Sequence, residues 1–307
     1  MGDLKEICAI WRGETTRALR TGRVVVLLVL FLLFVGLALM GVGLLSSQVM
    51  SGAMKVAPGA DPEAVKQGLL SAKKQFLATF FTDDERLLDS LATLPLVLLV
   101  VFKLTLRFVP LFIALMGFDQ VAGEVGPKSI RYLIVRVKRT SIILGKFLSQ
   151  ATIFTLLLTV CTLAMVLVSK LLSPDFTAAD MTVWTLKLIG SSIVLALAYL
   201  SLTALCSALV RQGAVALVLN VIGLFVIWFL ALVGEYFRFP GDVASGTIDM
   251  MRSESYLAYL RYASVWHFGQ DLLHPDWKRF LAAAVMHLGF AAVFVGLAQM
   301  ALERRDL

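Results

Sequence analysis

Six long runs of apolar residues dominate the hydropathy pattern of the chain, separated by segments rich in polar and charged residues. Each run is long enough to cross about 30 Å of hydrocarbon as an α-helix, which takes roughly 20 residues. The first run follows a basic stretch, as in a signal peptide, but it is too long and no clear cleavage site follows, so we expect a retained span. The pattern predicts transmembrane helices near Val24–Leu45, Leu96–Phe118, Phe147–Leu172, Val183–Leu209, Ala214–Val233 and Phe280–Ala301.

The composition supports the same class. Hydrophobic residues make up 59% of the 307 residues, against roughly 45–50% in soluble domains. Charged residues make up 16%, against roughly 25%. These values exclude a soluble domain and a disordered chain, and the unbroken runs exclude an outer-membrane barrel, whose strands alternate polar and apolar residues. We predict an all-α polytopic membrane protein with one transmembrane domain over residues 1–307.

The positions of the basic residues predict the orientation in the membrane. Most Lys and Arg residues flank the apolar runs, so the net charge of +7 is read as a topology signal and not as a nucleic-acid interface. More of them lie on the side of the N-terminus, which places that side in the cytoplasm. Six spans then bring both termini to the cytoplasmic side. Cys8, Cys161 and Cys206 are scattered and offer neither a disulfide framework nor a metal-ligand spacing.

Two long segments on the predicted outer side carry structure of their own. In the segment 46–93, Asp61 and Pro62 form a helix start. The apolar residues that follow at helical spacing predict an amphipathic helix, lying either on the membrane surface or on the protein's own outer end: Val65, Leu69, Phe76 and Phe80. The run Thr82–Glu85 has the pattern of a capping box for a second helix. The segment 234–279 is rich in aromatic residues, so we expect short interfacial or re-entrant helices there.

Two cations lie inside the second predicted span. At about 1.5 Å per residue, Arg107 is about 16 Å from Phe118 and so near the middle of the bilayer, with Lys103 one turn away on the same face. A central cation is costly, so it faces protein, water or an anionic group. Either the two cations line a pathway or pocket that favours anionic groups, or they have a structural role in a wet outer vestibule. Lys187 is a third cation, near the outer end of the fourth span.

The third span carries hydroxyl residues on one helical face, which predicts close helix packing or a dimer seam in preference to a polar conduit. These residues are Ser149, Thr152, Thr155, Thr159 and Thr162. Asn220 and His287 are single polar residues in later spans, and we interpret both as packing hydrogen bonds.

The segment 119–146 is the most informative part of the sequence. It contains, in order, Asp119, Gly123-Glu124, Lys128-Ser129, Arg131, Arg136, Lys138-Arg139 and Gly145-Lys146. This order resembles the signature between the second and third spans of type-2 ATP-binding-cassette (ABC) exporter permeases. Two departures are that Lys128-Ser129 replaces a Gly-Thr pair and that the proline before the arginine is absent. Ile10–Glu14 and Glu303–Leu307 resemble the family's amphipathic entry helix (residues 1–23) and its usual carboxyl end.

The resemblance implies a permease subunit that forms a dimer, with a second copy or a paralogue, in the bacterial cytoplasmic (inner) membrane. It also implies a separate dimeric ATPase that binds ATP and Mg²⁺, so this chain is not expected to be an enzyme or to hold a cofactor or metal. Membrane lipids and an extracytoplasmic accessory subunit are further expected contacts. The residues expected to dock the ATPase and couple its motion are Trp11, Arg12, Asp119, Glu124, Arg131, Arg136, Arg139 and Lys146.

The sequence around Gly123 does not fit a phosphate-binding loop of the form G-x-x-x-x-G-K-[ST]. The first glycine of Gly123–Ser129 is too close to the second, and Pro127 lacks an N–H donor. One alternative is an ATP-independent channel or secondary carrier for an anionic solute, supported by the intramembrane cations. A weaker alternative is an intramembrane enzyme that pairs Ser191 or Ser192 with His287. No metal site and no nucleic-acid partner is expected.

Overall fold

The computed structural model describes residues 2–56, 62–80, 84–125, 135–172, 178–237, 256–269 and 271–304. Every regular element in these ranges is helical, which confirms the all-α class. Three short 3-10 helices span Tyr256–Ala263, His267–Gly269 and Asp271–Leu273. The α-helices are α1 (Gly2–Arg20), α2 (Arg23–Val56), α3 (Pro62–Phe80), α4 (Glu85–Ala92), α5 (Leu96–Gly117), α6 (Ala122–Val125), α7 (Arg139–Leu172), α8 (Ala178–Leu209), α9 (Gly213–Tyr236) and α10 (Trp277–Glu303).

Six helices, α2, α5, α7, α8, α9 and α10, are long and apolar enough to cross a membrane, which confirms the six predicted spans. Two of these helices extend well beyond the apolar runs from which the spans were predicted. The α2 helix continues to Val56, and α7 begins at Arg139, eight residues before Phe147. The hydropathy pattern marks where apolar residues end, but backbone hydrogen bonding continues through the polar residues beyond. The 34 residues of α2 span about 51 Å at 1.5 Å per residue, more than the hydrocarbon thickness.

An even number of spans brings both ends of the chain to one side of the bundle. We call it the terminal side; it carries α1, α6 and the first turns of α7. The opposite side, which we call the loop side, carries α3, α4 and the three 3-10 helices. These two sides are joined only through the six spans in the part of the chain that the structure describes.

The α8 helix is the centre of the bundle and packs against α5, α7, α9 and α10. In the membrane-spanning part of α8, 72% of the residues are buried, against 17% in α9. Small buried residues let the neighbouring helices approach closely: Ser191, Ser192, Ala196, Ala198, Ser201, Ala204, Ser207 and Ala208. The sequence analysis emphasised the hydroxyl stripe of the third span and missed this longer series in the fourth.

The isolated polar residues of the core make local hydrogen bonds. Asn220 Nδ2 donates to Thr203 Oγ1 at 2.8 Å, which links α9 to α8. His287 Nδ1 donates to the Ala283 carbonyl at 2.8 Å, one turn earlier in α10. Both residues are fully buried. These bonds agree with the interpretation of Asn220 and His287 as packing residues, because an unpaired polar group would be costly inside the bundle.

On the loop side, α4 is capped at both ends by side chains. Asp84 is the N-cap residue, and its carboxylate accepts from the N–H groups of Arg86 and Leu87. The capping box at Thr82–Glu85 predicted Thr82 as the N-cap residue. The helix begins later, at Glu85, because the Asp84 carboxylate accepts from its first free N–H groups. Thr82 itself lies outside the described residues. At the other end, Lys73 Nζ donates to the Ala92 and Leu94 carbonyls, each at 2.6 Å. Burial lowers the pKa of Lys73.

The α3 helix lies against the protein's own loop side. Leu77 is fully buried in the main core, whereas Phe76 is exposed. The predicted apolar stripe included Phe76, facing either the membrane or the protein, and the residue that packs on the protein is its neighbour Leu77. Lys74 Nζ pairs with Asp89 Oδ1 of α4 at 2.6 Å on the exposed side. The predicted start of α3 at Pro62 is confirmed, while Asp61 lies outside the described residues.

The segment before α10 is fastened to the bundle by polar contacts. Arg279 Nη1 donates to Asp84 Oδ2 at 2.6 Å, and His274 Nε2 lies 3.4 Å from the same oxygen. Lys187 Nζ donates to the His274 carbonyl and Ser191 Oγ to the Leu272 carbonyl, both at 2.7 Å. The short helices expected in this segment are present over 256–273, and residues 238–255 lie outside the described ranges. These contacts join both loop-side segments to α8.

The close approach of the first 3-10 helix to α9 requires a glycine. A Cβ atom at Gly234 would lie 2.4 Å from the backbone nitrogen of Arg261. Ser264 Oγ also donates to the Ile227 carbonyl of α9 at 2.6 Å. The loop-side segment therefore packs directly on the backbone of α9.

The contacts of Asp84 predict a pH-dependent loop side. Partial burial works to raise the pKa of Asp84, but the hydrogen bonds from Arg279, Leu87, His274 and Arg86 outweigh it and lower that pKa. A lowered folded-state pKa means that the stabilisation is present above the ordinary carboxyl pKa and is lost as the pH falls through the lowered value. We expect Asp84→Asn to lower the unfolding temperature at pH 7, and the difference from the wild type to shrink as the pH falls below the ordinary carboxyl pKa.

Thermal unfolding in detergent between pH 3 and 7 tests this expectation. Asp89→Asn is the matched control, because its ion pair with Lys74 is exposed and contributes little. A difference between Asp84→Asn and the wild type that stayed constant over the whole pH range would contradict the role given to the Asp84 charge.

Candidate functional site

On the terminal side, α1 lies directly against the first turns of α7, and a glycine makes this possible. A Cβ atom at Gly145 would lie 2.7 Å from the Ile10 Cβ atom and 3.1 Å from the Ile7 carbonyl oxygen. Two polar contacts continue the interface: Trp11 Nε1 donates to Thr152 Oγ1 at 3.0 Å, and the hydroxyls of Thr15 and Ser149 lie 3.0 Å apart. The entry helix is thus part of the folded domain.

The residue after this glycine, Lys146, joins three helices. Its ammonium group bonds Glu14 Oε1 of α1 at 2.7 Å and Glu124 Oε1 of α6 at 2.8 Å, and its side chain is only 4% exposed. Arg17 Nη1 lies 3.4 Å from Glu124 Oε1. We call Glu14, Arg17, Glu124 and Lys146 the Lys146 cluster. Its two cations balance its two carboxylates, as burial of charge requires.

The first turn of α7 also binds the two ends of the described chain. The Lys138 N–H donates to Glu6 Oε2 at 3.3 Å, so a carboxylate of α1 caps the start of α7. Lys138 Nζ bonds Asp3 Oδ1 at 2.8 Å, and this hydrogen bond raises the pKa of Lys138. Arg139 Nη1 donates to the Leu302 and Glu303 carbonyls at 3.0 and 2.7 Å, which caps the end of α10.

The short helix α6 is anchored to the central helix by Ser207. The N–H groups of Val121 and Ala122 both donate to Ser207 Oγ, each at 3.0 Å. A helix of four residues has few internal hydrogen bonds, so an outside acceptor for its first N–H groups holds it in place. The sequence analysis did not identify Ser207. The sequence shows only a hydroxyl residue near the end of the fourth apolar span, and the structure shows that it faces the signature segment.

A polar cavity of about 240 Å³ lies beside the Lys146 cluster. Asp119, Gln120 and Gln150 line it together with members of the cluster. The cavity is large enough for several water molecules, since one needs about 10–15 Å³ by this kind of measure. The predicted site residue Asp119 therefore faces a polar space, and its carbonyl accepts from the Gly123 N–H at 2.8 Å.

The structure divides the predicted ATPase-docking residues into two groups. Glu124, Lys146, Arg139 and Trp11 make the contacts within the chain given above. Arg139 uses Nη1 to bond the end of α10, and docking of a partner by this residue stays a prediction. Arg12 and Arg136 are exposed, and next to Arg136 the side chain of Val135 is 87% exposed. Arg131 lies outside the described residues. The predicted segment 119–146 ends inside α7, which begins at Arg139.

The hydroxyl stripe of the third span has mixed surroundings. Thr152 accepts from Trp11, and Thr159 donates to the Thr155 carbonyl one turn earlier at 2.7 Å. Thr162 is buried inside the chain, which agrees with helix packing within one subunit, the first of the two predicted roles. Thr155 and Thr159 are partly exposed, so a seam there stays a prediction.

The two intramembrane cations line one cavity, of about 130 Å³, on the loop-side half of the bundle. The guanidinium carbon of Arg107 lies 4.9 Å from the centre of the Trp266 ring, a cation–π contact. Lys187 is 4.9 Å from the Trp184 ring and bonds the His274 carbonyl, as described above. Lys187 therefore has a structural position, whereas Lys103 and Arg107 face a cavity.

The residues proposed for an intramembrane enzyme are not brought together by hydrogen bonds. Ser191 donates to the Lys187 and Leu272 carbonyls, and Ser192 donates to those of Leu188 and Ile189. His287 donates to Ala283. In the described part of the chain, no group of three or more His, Cys, Asp or Glu residues is placed to hold a metal ion.

Comparison with known proteins gives one positive result. The family model for ABC-2 family transporter proteins matches residues 8–307, nearly the whole chain. A search of curated proteins finds no match.

The buried ammonium of Lys146 gives the first prediction for this site. Lys146→Met leaves Glu14 and Glu124 without their shared cation. We expect this substitution to lower the free energy of unfolding by about 3 kcal/mol, and the loss is not larger because Glu14 is partly exposed to water. Adding Glu124→Gln removes one of the two carboxylates and should restore at least half of this loss. Thermal or denaturant unfolding in detergent measures both effects.

Lys138→Met, whose ion pair with Asp3 is exposed, is the control and should change stability little. Absence of rescue in the double variant would argue against the charge balance.

Gly145 gives the second prediction. Gly145→Val places methyl groups against Ile10 and should cost about 1–3 kcal/mol, as overpacking of a close contact does. Displacement of α1 should also speed tryptic cleavage at its exposed arginines. Gly13→Ala is the control, because a Cβ there meets nothing within 4 Å and should stabilise the helix by about 0.5–1 kcal/mol. Equal cleavage rates in both variants would contradict the tight α1–α7 contact.

Proposed function

The chain belongs to the ABC-2 transporter family and is a membrane component of an ABC transporter, and from this premise we propose that it couples ATP hydrolysis by a separate subunit to export or to mechanical work across the bacterial cytoplasmic membrane. The observation that carries the proposal is the Lys146 cluster, which ties the signature segment to α1 and α7. A rigid junction of this kind suits a subunit that receives force at one side of the membrane.

We assign the terminal side to the cytoplasm. The basic residues of α1 lie there, as do those in the described part of the signature segment, in agreement with the positive-inside rule. A soluble ATPase would then meet the exposed Arg12, Arg136 and Val135. An apolar side chain that is 87% exposed beside a forked donor is a suitable contact for a partner protein, because Arg pairs well with carboxylates at interfaces.

The path of the motion follows from the anchoring contacts. Movement at residues 135–138 passes directly into α7, which starts at Arg139, and through Lys146 into α1 and α6. Ser207 carries the same movement from α6 into α8, the most buried helix. In this scheme ATP and Mg²⁺ are bound by the partner ATPase, and this chain performs no catalysis itself.

We further propose a dimer of this chain, with itself or with a paralogue. The membrane-spanning parts of α2 and α9 are 22% and 17% buried, so both helices have large apolar faces for lipid or for a second subunit. The loop-side segments would carry any extracytoplasmic accessory subunit.

Co-purification tests the docking proposal. The full chain is tagged, extracted in mild detergent from its native membrane, and its bound ATPase is quantified by mass spectrometry. We expect Val135→Ser combined with Arg136→Glu to lower ATPase recovery by about tenfold or more, since charge reversal and loss of an exposed apolar contact act together. Glu124→Gln should keep the ATPase bound, because Glu124 lies inside the chain.

Lys74→Gln is the control, a charge removal on the opposite side of the membrane. Recovery of the ATPase with the Val135/Arg136 variant at the wild-type level would reject this docking surface. A wild-type chain that came out alone, and that moved an anionic solute across vesicles without ATP, would favour the channel or carrier alternative.

A further inference from the structure

The cavity at Lys103 and Arg107 has the make-up of an anion site. Its lining comes from three parts of the chain: α5, α8 and the loop-side segments. Two of the lining residues are cations, and none of those described is acidic. The other lining residues are Leu87, Leu106, Leu195, Tyr199, Trp266, Gly269 and Leu273. A site of this composition offers positive charge and apolar walls together.

The position of Arg107 suits recognition of an acidic group. Its guanidinium carbon lies 4.9 Å from the centre of the Trp266 ring, and a guanidinium held against an aromatic face keeps N–H donors for an anion. No carboxylate of the described residues lies within ion-pair distance of Arg107. A guanidinium binds phosphate or carboxylate through two parallel hydrogen bonds.

Tyr199 adds a neutral donor to the same cavity. The residue is 2% exposed, and its hydroxyl makes no hydrogen bond within the part of the chain that the structure describes. Buried hydroxyls are usually satisfied by a protein group, water or ligand. The phenol of Tyr199 is thus placed to bond an occupant of the cavity.

The cavity is open towards an apolar surface. Arg107 is exposed, and Phe108, Leu111 and Leu115, 40–44% exposed, continue the same stripe of α5 towards the terminal side. Arg107 lies eleven residues after the start of α5, about 16 Å into the span. At that depth the stripe contacts acyl chains or another helix and not bulk water. An occupant therefore needs an apolar part as well as an acidic one.

We propose that this cavity binds an anionic amphiphile, whose phosphate or carboxylate headgroup lies between Arg107, Lys103 and Tyr199 and whose chain lies along the exposed stripe of α5. This inference names the substrate class of the proposed exporter and rests on that function for its physiological meaning. The binding itself requires neither the ATPase nor ATP, so the two proposals fail separately.

Native mass spectrometry of the full chain in detergent tests the binding. The probes are dioleoyl phosphatidylglycerol, which is anionic, dioleoyl phosphatidylcholine, which is not, and inorganic phosphate. We expect phosphatidylglycerol to bind at least about tenfold more tightly than phosphatidylcholine, and Lys103→Gln with Arg107→Gln to remove that preference. Lys170→Gln, a cation of α7 that does not line the cavity, should bind like the wild type.

Two milder variants keep the proposal testable if the double variant does not fold. Tyr199→Phe removes one donor and should weaken phosphatidylglycerol binding several-fold, and Arg107→Lys, which keeps the charge but loses the fork, should weaken it to a similar extent. Equal binding of the two lipids by the wild type would overturn the proposal, as would wild-type binding by all cavity variants. Inorganic phosphate binding as tightly as phosphatidylglycerol would overturn the amphiphile and indicate a soluble anion instead.

Discussion

The arrangement of the terminal side depends on one buried ammonium group. Lys146 is 4% exposed and is charged, so it must be surrounded by acceptors. The acceptors come from two other helices, Glu14 of α1 and Glu124 of α6. Satisfying this one group therefore fixes the entry helix and the signature segment relative to α7. Arg17 brings the cluster to neutrality, which lowers the cost of holding two carboxylates side by side.

Close approach of helices is the second constraint, and small residues permit it. Gly145 lets α1 come near enough for Glu14 to reach Lys146, and the buried serines and alanines of α8 let four spans pack around it. Ser207 belongs to both arrangements, because it is one of these small residues and also the acceptor for α6. Movement of the signature segment is thus connected to the centre of the bundle through short contacts.

The two ends of the bundle differ in their chemistry. The terminal side is joined by ion pairs and helix caps among α1, α6, α7 and α10. On the loop side, Asp84, His274 and Arg279 join the start of α4 to the segment around the start of α10. Between them, the intramembrane cations Lys103 and Arg107 line one cavity. This division separates the part suited to force transmission from the part suited to recognition.

The sequence by itself determined the class, the six spans and the segment that carries the family signature, because hydropathy and residue order are local properties. It also indicated Lys146, Glu124, Lys103 and Arg107 as residues of interest. Only the tertiary structure decided their partners: that Arg139 caps α10, that Lys146 meets Glu14, and that Ser207 holds α6. These contacts join residues 85 to 164 positions apart, and no local pattern records which helices approach each other. That choice depends on the packing of side chains around α8, which exists only in the folded chain.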